Sequence, residues 1–121
     1  MTIMKIQTVI LTLTYFILVS TTNAIEMQLL IVTDDNCEYC ELWEEEIGYM
    51  YAKSPEGQTA PLLRQDIHKE LPDMIYLRSS PFFTPTFILL VDSFEVSRFE
   101  GYPGEDFFWP VLNQMITEAL D

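Results

Sequence analysis

The sequence predicts an α/β fold in which helices flank a mixed four-stranded sheet, built as a βαβ half followed by a ββα half. Two short apolar runs rich in branched residues, Met27–Thr33 and Thr86–Val91, have the composition of buried strands. After the first run, and again near the end of the chain, the apolar residues recur with the helical period. Turn residues separate these segments, and the sequence contains no repeat or interdomain linker, which favours a single domain.

The first helix is predicted from Cys37 to about Ala52, directly after the first strand. The polar residues 34–36 offer side chains that would cap its N-terminus. Residues 54–57, which include a proline and a glycine, are expected to end it. The apolar stripe of this helix is predicted to comprise Tyr39, Trp43, Ile47 and Met50.

The middle of the chain predicts the remaining strands. A second strand is expected over residues 62–67, followed by a short helix or turn near residues 70–77. Residues 86–91 and 94–99 predict a hairpin that turns at residues 92–93. The apolar residues of its second strand are expected to be Phe94, Val96 and Phe99.

A last amphipathic helix is predicted after a turn at residues 101–104, and it extends to about Leu120. Glu105 and Asp106 are expected to cap it, and Pro110 is expected near its first turn, where a missing N–H matters least. Its predicted buried face comprises Val111, Leu112, Met115, Ile116 and Ala119.

The N-terminus has the layout of a secretory signal peptide over residues 1–24, which leaves residues 25–121 as the folded domain. Lys5 precedes an uncharged apolar run that ends at Val19, shorter than the roughly 20 residues that a membrane-spanning helix needs. Small residues then precede the expected cleavage point after Ala24. An uncleaved anchor is the alternative, and only then would the protein contact a membrane. In both cases the domain is expected outside the cytoplasm.

The predicted domain is strongly acidic. Its five basic and 19 acidic residues leave a net charge of −14. Such a charge repels nucleic acid and anionic lipid, so neither is expected as a partner. Two explanations of the acidity remain: solubility, or steering of the protein toward a basic surface on a partner protein.

Cys37 and Cys40 are the residues in which we expect the chemistry to lie. A disulfide between residues three apart closes too small a loop to stabilise the fold appreciably. The pair follows a predicted strand and opens a predicted helix, whose N-terminus favours a thiolate on Cys37. Cys40 lies one turn later, within reach of an intermolecular disulfide formed by Cys37. The pattern therefore predicts Cys37 as the nucleophile and Cys40 as the resolving thiol.

Metal and haem sites are weaker interpretations of the same cysteines. A zinc site needs four ligands, and the chain offers only Cys37, Cys40 and His68, so metal binding would have to be shared between chains. Covalent haem attachment would need a histidine at position 41, where the chain has Glu41. No metal or cofactor is therefore expected, and His68 is predicted to be a solvated loop residue.

A second element precedes the strand at residues 86–91. The Thr84-Pro85 bond is a candidate cis peptide, because cis bonds occur almost only before proline. Together with Cys37, Cys40 and Gly101, this arrangement resembles the thioredoxin superfamily across the whole predicted domain. The resemblance implies that Pro85 is a cis-proline opposite the cysteine pair and that Thr84 contacts the substrate. For the adjacent aromatic residues Phe82 and Phe83, two interpretations stay open: an apolar docking lip, or packing in the core.

More narrowly, the signal peptide, residues 83–87 and residues 100–109 are similar to periplasmic thioredoxin-like proteins of bacterial sulfur-oxidation clusters, the SoxS type. This resemblance implies a periplasmic location and a protein disulfide or thiol as substrate. It also implies an upstream electron donor, for which a membrane thiol transporter is a candidate. The chain departs from general thioredoxins in its Glu38-Tyr39 dipeptide, in Asn36 before the cysteines, and in apolar residues near Ile31 where many thioredoxins bury a carboxylate.

The acidic residues near the cysteine pair predict the direction of electron flow. Glu38, Glu41 and the aspartates at 34 and 35 disfavour a thiolate and oppose the helix N-terminus. A less stable thiolate makes the disulfide comparatively stable, which favours a reductase over an oxidant. The alternative from another class is a non-catalytic, redox-responsive regulatory or binding module.

Overall fold

The computed structural model describes Val19 and residues 24–121. The predicted signal peptide, apart from Val19 and Ala24, lies outside the described residues. No helix in the described part of the chain is long and apolar enough to cross a membrane. In chain order the elements are β1 (Met27–Thr33), α1 (Glu38–Trp43), a π-helical segment (Glu44–Gly48), α2 (Tyr49–Tyr51), α3 (Pro55–Thr59), β2 (Leu62–Asp66), β3 (Thr86–Val91), β4 (Phe94–Glu100) and α4 (Glu105–Leu120).

The predicted mixed sheet is confirmed, with its four strands in the order β2-β1-β3-β4. β1 pairs with β2 in parallel and with β3 antiparallel, and β3 pairs antiparallel with β4. β1 and β3 occupy the centre because both are apolar almost throughout, so both of their faces must be covered.

One face of the sheet carries the larger core, here called the aromatic face. Trp43 lies at its centre and is fully buried, as predicted. Its ring centroid is 5.6 Å from that of Phe87 on β3 and 5.8 Å from that of Phe108 on α4. Tilted and edge-to-face contacts of this kind add to the free energy of burial. The cluster is completed by Leu29, Ile31, Ile47, Tyr51, Leu89, Leu112, Met115 and Ile116.

The helix that follows β1 differs from the prediction in which side chains it buries. Tyr39 is 58% exposed and Met50 is half-buried, so both are wrong as core residues. The π-helical segment accounts for the change at Met50, because the N–H of Tyr49 reaches back five residues to the carbonyl of Glu44. The wider turn keeps residues four apart on one face, which buries Trp43, Ile47 and Tyr51.

One boundary prediction needs correction, and the structure adds detail to two others. Residues 34–36 do not cap α1, since the N-cap is Cys37 itself. Ser54 begins a further short helix, α3, by accepting a hydrogen bond from the N–H of Gly57 at 2.9 Å. For residues 70–77, where a short helix or a turn was predicted, the structure has a turn and a single bridge between Tyr76 and Phe94.

The opposite face of the sheet, here called the loop face, is covered by side chains of the β2–β3 connection instead of by a helix. Its core is smaller and purely aliphatic. Residues from β2 and from the connection pack partly buried against it. The buried members are Leu30, Val32, Ile88 and Leu90, and the covering residues are Leu63, Ile67, Leu71, Ile75 and Leu77.

The β3–β4 hairpin contains a bulge that the sequence did not predict. Leu90 pairs with Glu95 while Leu89 pairs with Ser97, so β4 has one extra residue between them. Phe94 pairs with Val91 in the hairpin as predicted, but it is exposed at the hairpin end and stacks on Tyr76. Because the extra residue changes the alternation, Glu95 and the residue three further on, Arg98, lie on the same face.

The last helix was predicted correctly in extent, with three differences in detail. Its N-cap is Gly104, so Glu105 and Asp106 occupy the first turn without capping it. Pro110 is the sixth helical residue, one turn later than predicted. Phe108 is the fully buried residue of this helix that the predicted face omitted.

Candidate functional site

Cys37 and Cys40 are joined by a disulfide at the N-terminus of α1, with their Cα atoms 5.2 Å apart. Cys37 is the N-cap residue, and its Sγ accepts a hydrogen bond from the backbone N–H of Cys40 at 3.1 Å. The side chains are only 7% and 5% exposed. The sulfur atoms therefore lie where a helix presents its unpaired N–H groups, as the motif predicted.

The position of the disulfide follows from its neighbours in the chain. The N–H of Cys37 donates to the carbonyl of Asp34 at 3.2 Å, which makes a tight turn between β1 and α1. Cys40 and Trp43 are the buried residues of α1, and Trp43 sits in the aromatic face. The cysteine turn is thus fixed by a central strand on one side and by core packing on the other.

The charges around the disulfide oppose one another. The partial positive charge of the helix N-terminus favours a thiolate at Cys37. Glu38 and Glu41, both exposed in the first turn of α1, act against it. The acidic surroundings that the sequence predicted are therefore present on the helix that carries the cysteines.

A groove with a volume of about 330 Å³ adjoins the disulfide. Tyr39, the residue beside Cys40 in the dipeptide, forms one wall, and Thr84 and Pro85 line the groove as well. The Thr84-Pro85 peptide bond is cis, the isomer that the sequence predicts. The structure therefore brings the cysteine segment and the loop before β3 to one place. The remaining lining residues are Phe83, Glu100, Gly101, Tyr102 and Pro103.

Phe82 and Phe83 project from the loop that precedes Thr84. They are 80% and 47% exposed, so the interpretation of both as core residues is wrong. Together they form an exposed aromatic edge, here called the aromatic lip. Phe83 also lies against the turn at Gly101, where an added Cβ atom would be 3.7 Å from its ring.

The loop of the aromatic lip is hydrogen-bonded to the first residue of β3 and to the residue that follows β4. The carbonyl of Pro85 accepts from the N–H of Gly101 at 2.7 Å, and the hydroxyl of Thr86 donates to the carbonyl of Phe83 at 2.6 Å. Gly101 adopts a φ of +85°, a conformation that side-chain-bearing residues disfavour. The sequence indicated Gly101 only as a turn, and it gave no signal that Glu100 or Tyr102 lines a groove.

Tyr102 is the buried polar residue of the groove. Burial raises its pKa to about 12, and the nearby carboxylates of Glu46 and Glu105 contribute in the same direction. The phenol therefore stays neutral near physiological pH. It contributes shape to the groove and does not act as a base there, and its hydroxyl oxygen is buried.

His68 lies apart from this site. Its Nε2 is 3.3 Å from Oδ2 of Asp34, and its side chain is largely exposed, as predicted for a loop residue. Within residues 24–121 no three histidine, cysteine or acidic side chains converge as they would around a metal ion.

Comparison with known proteins agrees with this geometry. No protein-family model and no curated protein matches the chain. Among solved structures, the chain is similar to the reduced periplasmic thioredoxin SoxS from Paracoccus pantotrophus, with 42% identity, a TM-score of 0.76, and coverage of 78% of this chain and 99% of that one. Two thioredoxins of low identity share the fold. The thioredoxin of Fasciola hepatica has 15% identity and a TM-score of 0.51, with coverage of 74% of this chain and 81% of that one. The thioredoxin Mala s 13 of Malassezia sympodialis has 13% identity and a TM-score of 0.51, with coverage of 74% of this chain and 75% of that one.

A thioredoxin-like sheet with a Cys-x-x-Cys disulfide at a helix N-terminus defines the class of thiol–disulfide oxidoreductases. The chain belongs to the thioredoxin superfamily, within the group of the periplasmic thioredoxin SoxS, since the shared identity extends over nearly all of that protein. The family resemblance and the fold that the sequence predicted are both confirmed.

Proposed function

We propose that this protein reduces a disulfide in a partner protein outside the cytoplasm, with Cys37 as the nucleophile and Cys40 as the resolving thiol. The observation that carries the proposal is the position of the disulfide, at the N-terminus of α1 and beside a groove open to solvent. A disulfide between residues three apart contributes little to stability, so its opening leaves the fold intact.

The reaction proceeds in two exchanges that conserve electrons. In the reduced protein, the Cys37 thiolate attacks one sulfur of the partner disulfide, forming a mixed disulfide and releasing the partner's other sulfur as a thiolate that takes up a proton. The Cys40 thiolate then attacks Sγ of Cys37, which releases the second partner thiol and restores the Cys37–Cys40 disulfide. Two electrons pass to the partner, and an upstream dithiol must return them.

Thr84 and Pro85 are proposed to bind the substrate segment. Both line the groove next to Tyr39, and the loop that holds them is fixed by the hydrogen bond between Pro85 and Gly101. The backbone N–H and C=O of Thr84 make no backbone hydrogen bond within the described residues, so they are free to pair with an extended chain. The aromatic lip would contact the same segment from outside.

The direction of transfer is proposed from the charges. Glu38 and Glu41 destabilise a thiolate beside them and so favour the oxidised pair, which makes the reduced pair a better electron donor. Solvent screens these exposed carboxylates, so their effect on the reduction potential is modest.

The proposed setting is the periplasm, after removal of residues 1–24. The similar structure is described as a periplasmic thioredoxin, which supports this location. We further propose that the partner belongs to sulfur oxidation and needs a cysteine kept reduced, and that a membrane thiol transporter supplies the electrons. The sequence resemblance to the SoxS type supports both statements.

Trapping of the mixed disulfide tests the proposal. Cys40→Ser cannot complete the second exchange, so the reduced variant should accumulate a partner on Cys37 that dithiothreitol releases. Cys37→Ser is the matched control and should capture nothing. Wild type should also accelerate reduction of a protein disulfide by dithiothreitol, and both variants should lose that turnover. Redox-dependent partner binding without turnover would contradict the proposal and indicate a regulatory module instead.

A further inference from the structure

The groove beside the disulfide has apolar walls and a single charged lining residue. Tyr39, Phe83 and Pro85 supply the apolar and aromatic surface, and Glu100 is the only ionisable carboxylate among the lining side chains. Glu100 is exposed at the end of β4, directly before the turn that closes the groove. A segment seated in this groove therefore meets an aromatic wall and one negative charge.

Further acidic groups lie at the margins of the groove. Glu38 and Glu41 are exposed in the turn of α1 that carries Tyr39. At the other end, Glu46 and Glu105 lie close enough to Tyr102 for their charges to act on its phenol. The negative potentials of these carboxylates add up over the same opening.

Basic side chains do not compensate this charge. None of the lining residues is basic. Arg98 is near enough to Glu100 to feel its charge, but its guanidinium donates to both carboxylate oxygens of Glu95 and to the carbonyl of Ser79. Arg64 is likewise paired, with Glu44. Glu100 makes no side-chain hydrogen bond within residues 24–121, so its carboxylate is available to a ligand.

We propose that the groove selects disulfide-bearing segments with a lysine or arginine within about two residues of the attacked cysteine, and that Glu100 receives that basic side chain. This inference rests on the proposed reductase function and names the substrate chemistry of the same site. The aromatic walls complement such a side chain, because the ring faces of Tyr39 and Phe83 attract cations. The surrounding carboxylates raise the rate of encounter with a basic segment.

A peptide series tests the selectivity. Three peptides carry the same intramolecular disulfide and share one sequence except at a single position. That position lies two residues from the cysteine to be attacked and is lysine, glutamine or glutamate. With dithiothreitol as the reductant, wild type should give the highest kcat/KM for the lysine peptide, a lower value for the glutamine peptide and the lowest for the glutamate peptide. At low salt the highest and lowest kcat/KM should differ about tenfold. The range should narrow at high salt, because the exposed charges are then screened.

Glu100→Gln tests the assigned residue. It should reduce the preference for the lysine peptide over the glutamine peptide by about three- to fivefold, the size expected for one exposed charge pair. Glu70→Gln is the matched control, an equal charge change at an exposed position in the β2–β3 connection. It should keep the preference and the turnover of wild type.

Each other outcome overturns the inference in a recognisable way. Equal kcat/KM for all three peptides in wild type would overturn the selectivity and leave the reductase function standing. An equal loss on all peptides in Glu100→Gln would indicate a structural role and overturn the assignment of Glu100. Reduction of none of the peptides by wild type would overturn both the selectivity and the proposed function.

Discussion

The Cys37–Cys40 turn and the loop of residues 82–85 meet at one groove, yet the molecule holds them by different forces. The cysteine turn leads into Trp43, whose fully buried ring contacts Phe87 and Phe108 in the aromatic face. Apolar packing of this kind depends little on pH and is not weakened by charge screening, because no charged group contributes to it. The position of the disulfide should therefore persist as long as the domain is folded.

The loop of residues 82–85 depends instead on polar contacts, both its own hydrogen bonds to Gly101 and Thr86 and those of the chain just before it. Glu95 is buried and accepts two hydrogen bonds from Arg98, at 2.6 Å each, and one from the N–H of Arg78. Arg98 also donates to the carbonyl of Ser79 at 2.8 Å. This ion pair attaches residues 78–79 to β4, a few residues before the aromatic lip.

The difference indicates that the two halves of the site can be perturbed separately. Loss of aromatic packing should destabilise the whole domain, since the cluster joins β1, α1, β3 and α4. Loss of the Glu95–Arg98 pair should act first on the loop and thus on substrate binding. Three measurements test whether the two regions respond separately.

The largest effect is expected from Phe108→Ala. The ring is fully buried among Trp43, Phe87 and Phe99, so its removal leaves a cavity in the aromatic face. The free energy of unfolding in urea should fall by about 3–5 kcal/mol. Phe107→Ala is the control, because this neighbouring ring is partly exposed and should cost about 1 kcal/mol or less. Equal losses would contradict the assignment of the core.

A smaller and more local effect is expected from Arg98→Met. The substitution leaves the buried Glu95 carboxylate without its partner, which should lower the free energy of unfolding by about 2–3 kcal/mol. Amide hydrogen exchange should accelerate at residues 78–83 more than in β1 or β3. Arg64→Met removes the exposed pair with Glu44 and should cost at most about 0.5 kcal/mol. Uniform acceleration across the sheet would argue against a local anchor.

The smallest effect is the pH dependence of the stability that the Glu95–Arg98 pair contributes. Burial alone would raise the pKa of Glu95, but hydrogen bonds from Arg98 and from the N–H of Arg78 outweigh it and hold the pKa below its usual value of 4.5. The unfolded state therefore binds the proton more readily. The contribution of Glu95 to stability is complete above about pH 4.5 and is lost as the pH falls through the lower, folded-state value.

Urea unfolding as a function of pH measures this contribution. The stability difference between wild type and Arg98→Met should be constant near neutral pH. It should shrink on acidification as Glu95 takes up its proton, first in the variant, where hydrogen bonds from Arg98 no longer offset burial, and at lower pH in wild type. A difference that grows on acidification would show that the sign of the coupling is wrong.

The parts of the molecule that depend on neighbouring residues could be predicted from the order of amino acids alone. The apolar runs of β1 and β3 predicted the central strands, and the Cys-x-x-Cys spacing after a strand predicted a disulfide at a helix N-terminus. The Thr84-Pro85 dipeptide predicted the cis bond. These are local consequences of side-chain type and spacing, so they can be read without knowledge of the fold.

Only the tertiary structure decided which side chains face the groove and which face the core. The π-helical segment buried Tyr51 in place of Met50, and the bulge in β4 buried Glu95 beside Arg98 and left Phe94 exposed. One additional residue in a helical turn or a strand changes the face of every residue on one side of it, while the composition stays the same. The groove joins residues 39, 83–85 and 100–103, which are distant in the chain, so its shape depends on long-range pairing that local patterns do not specify.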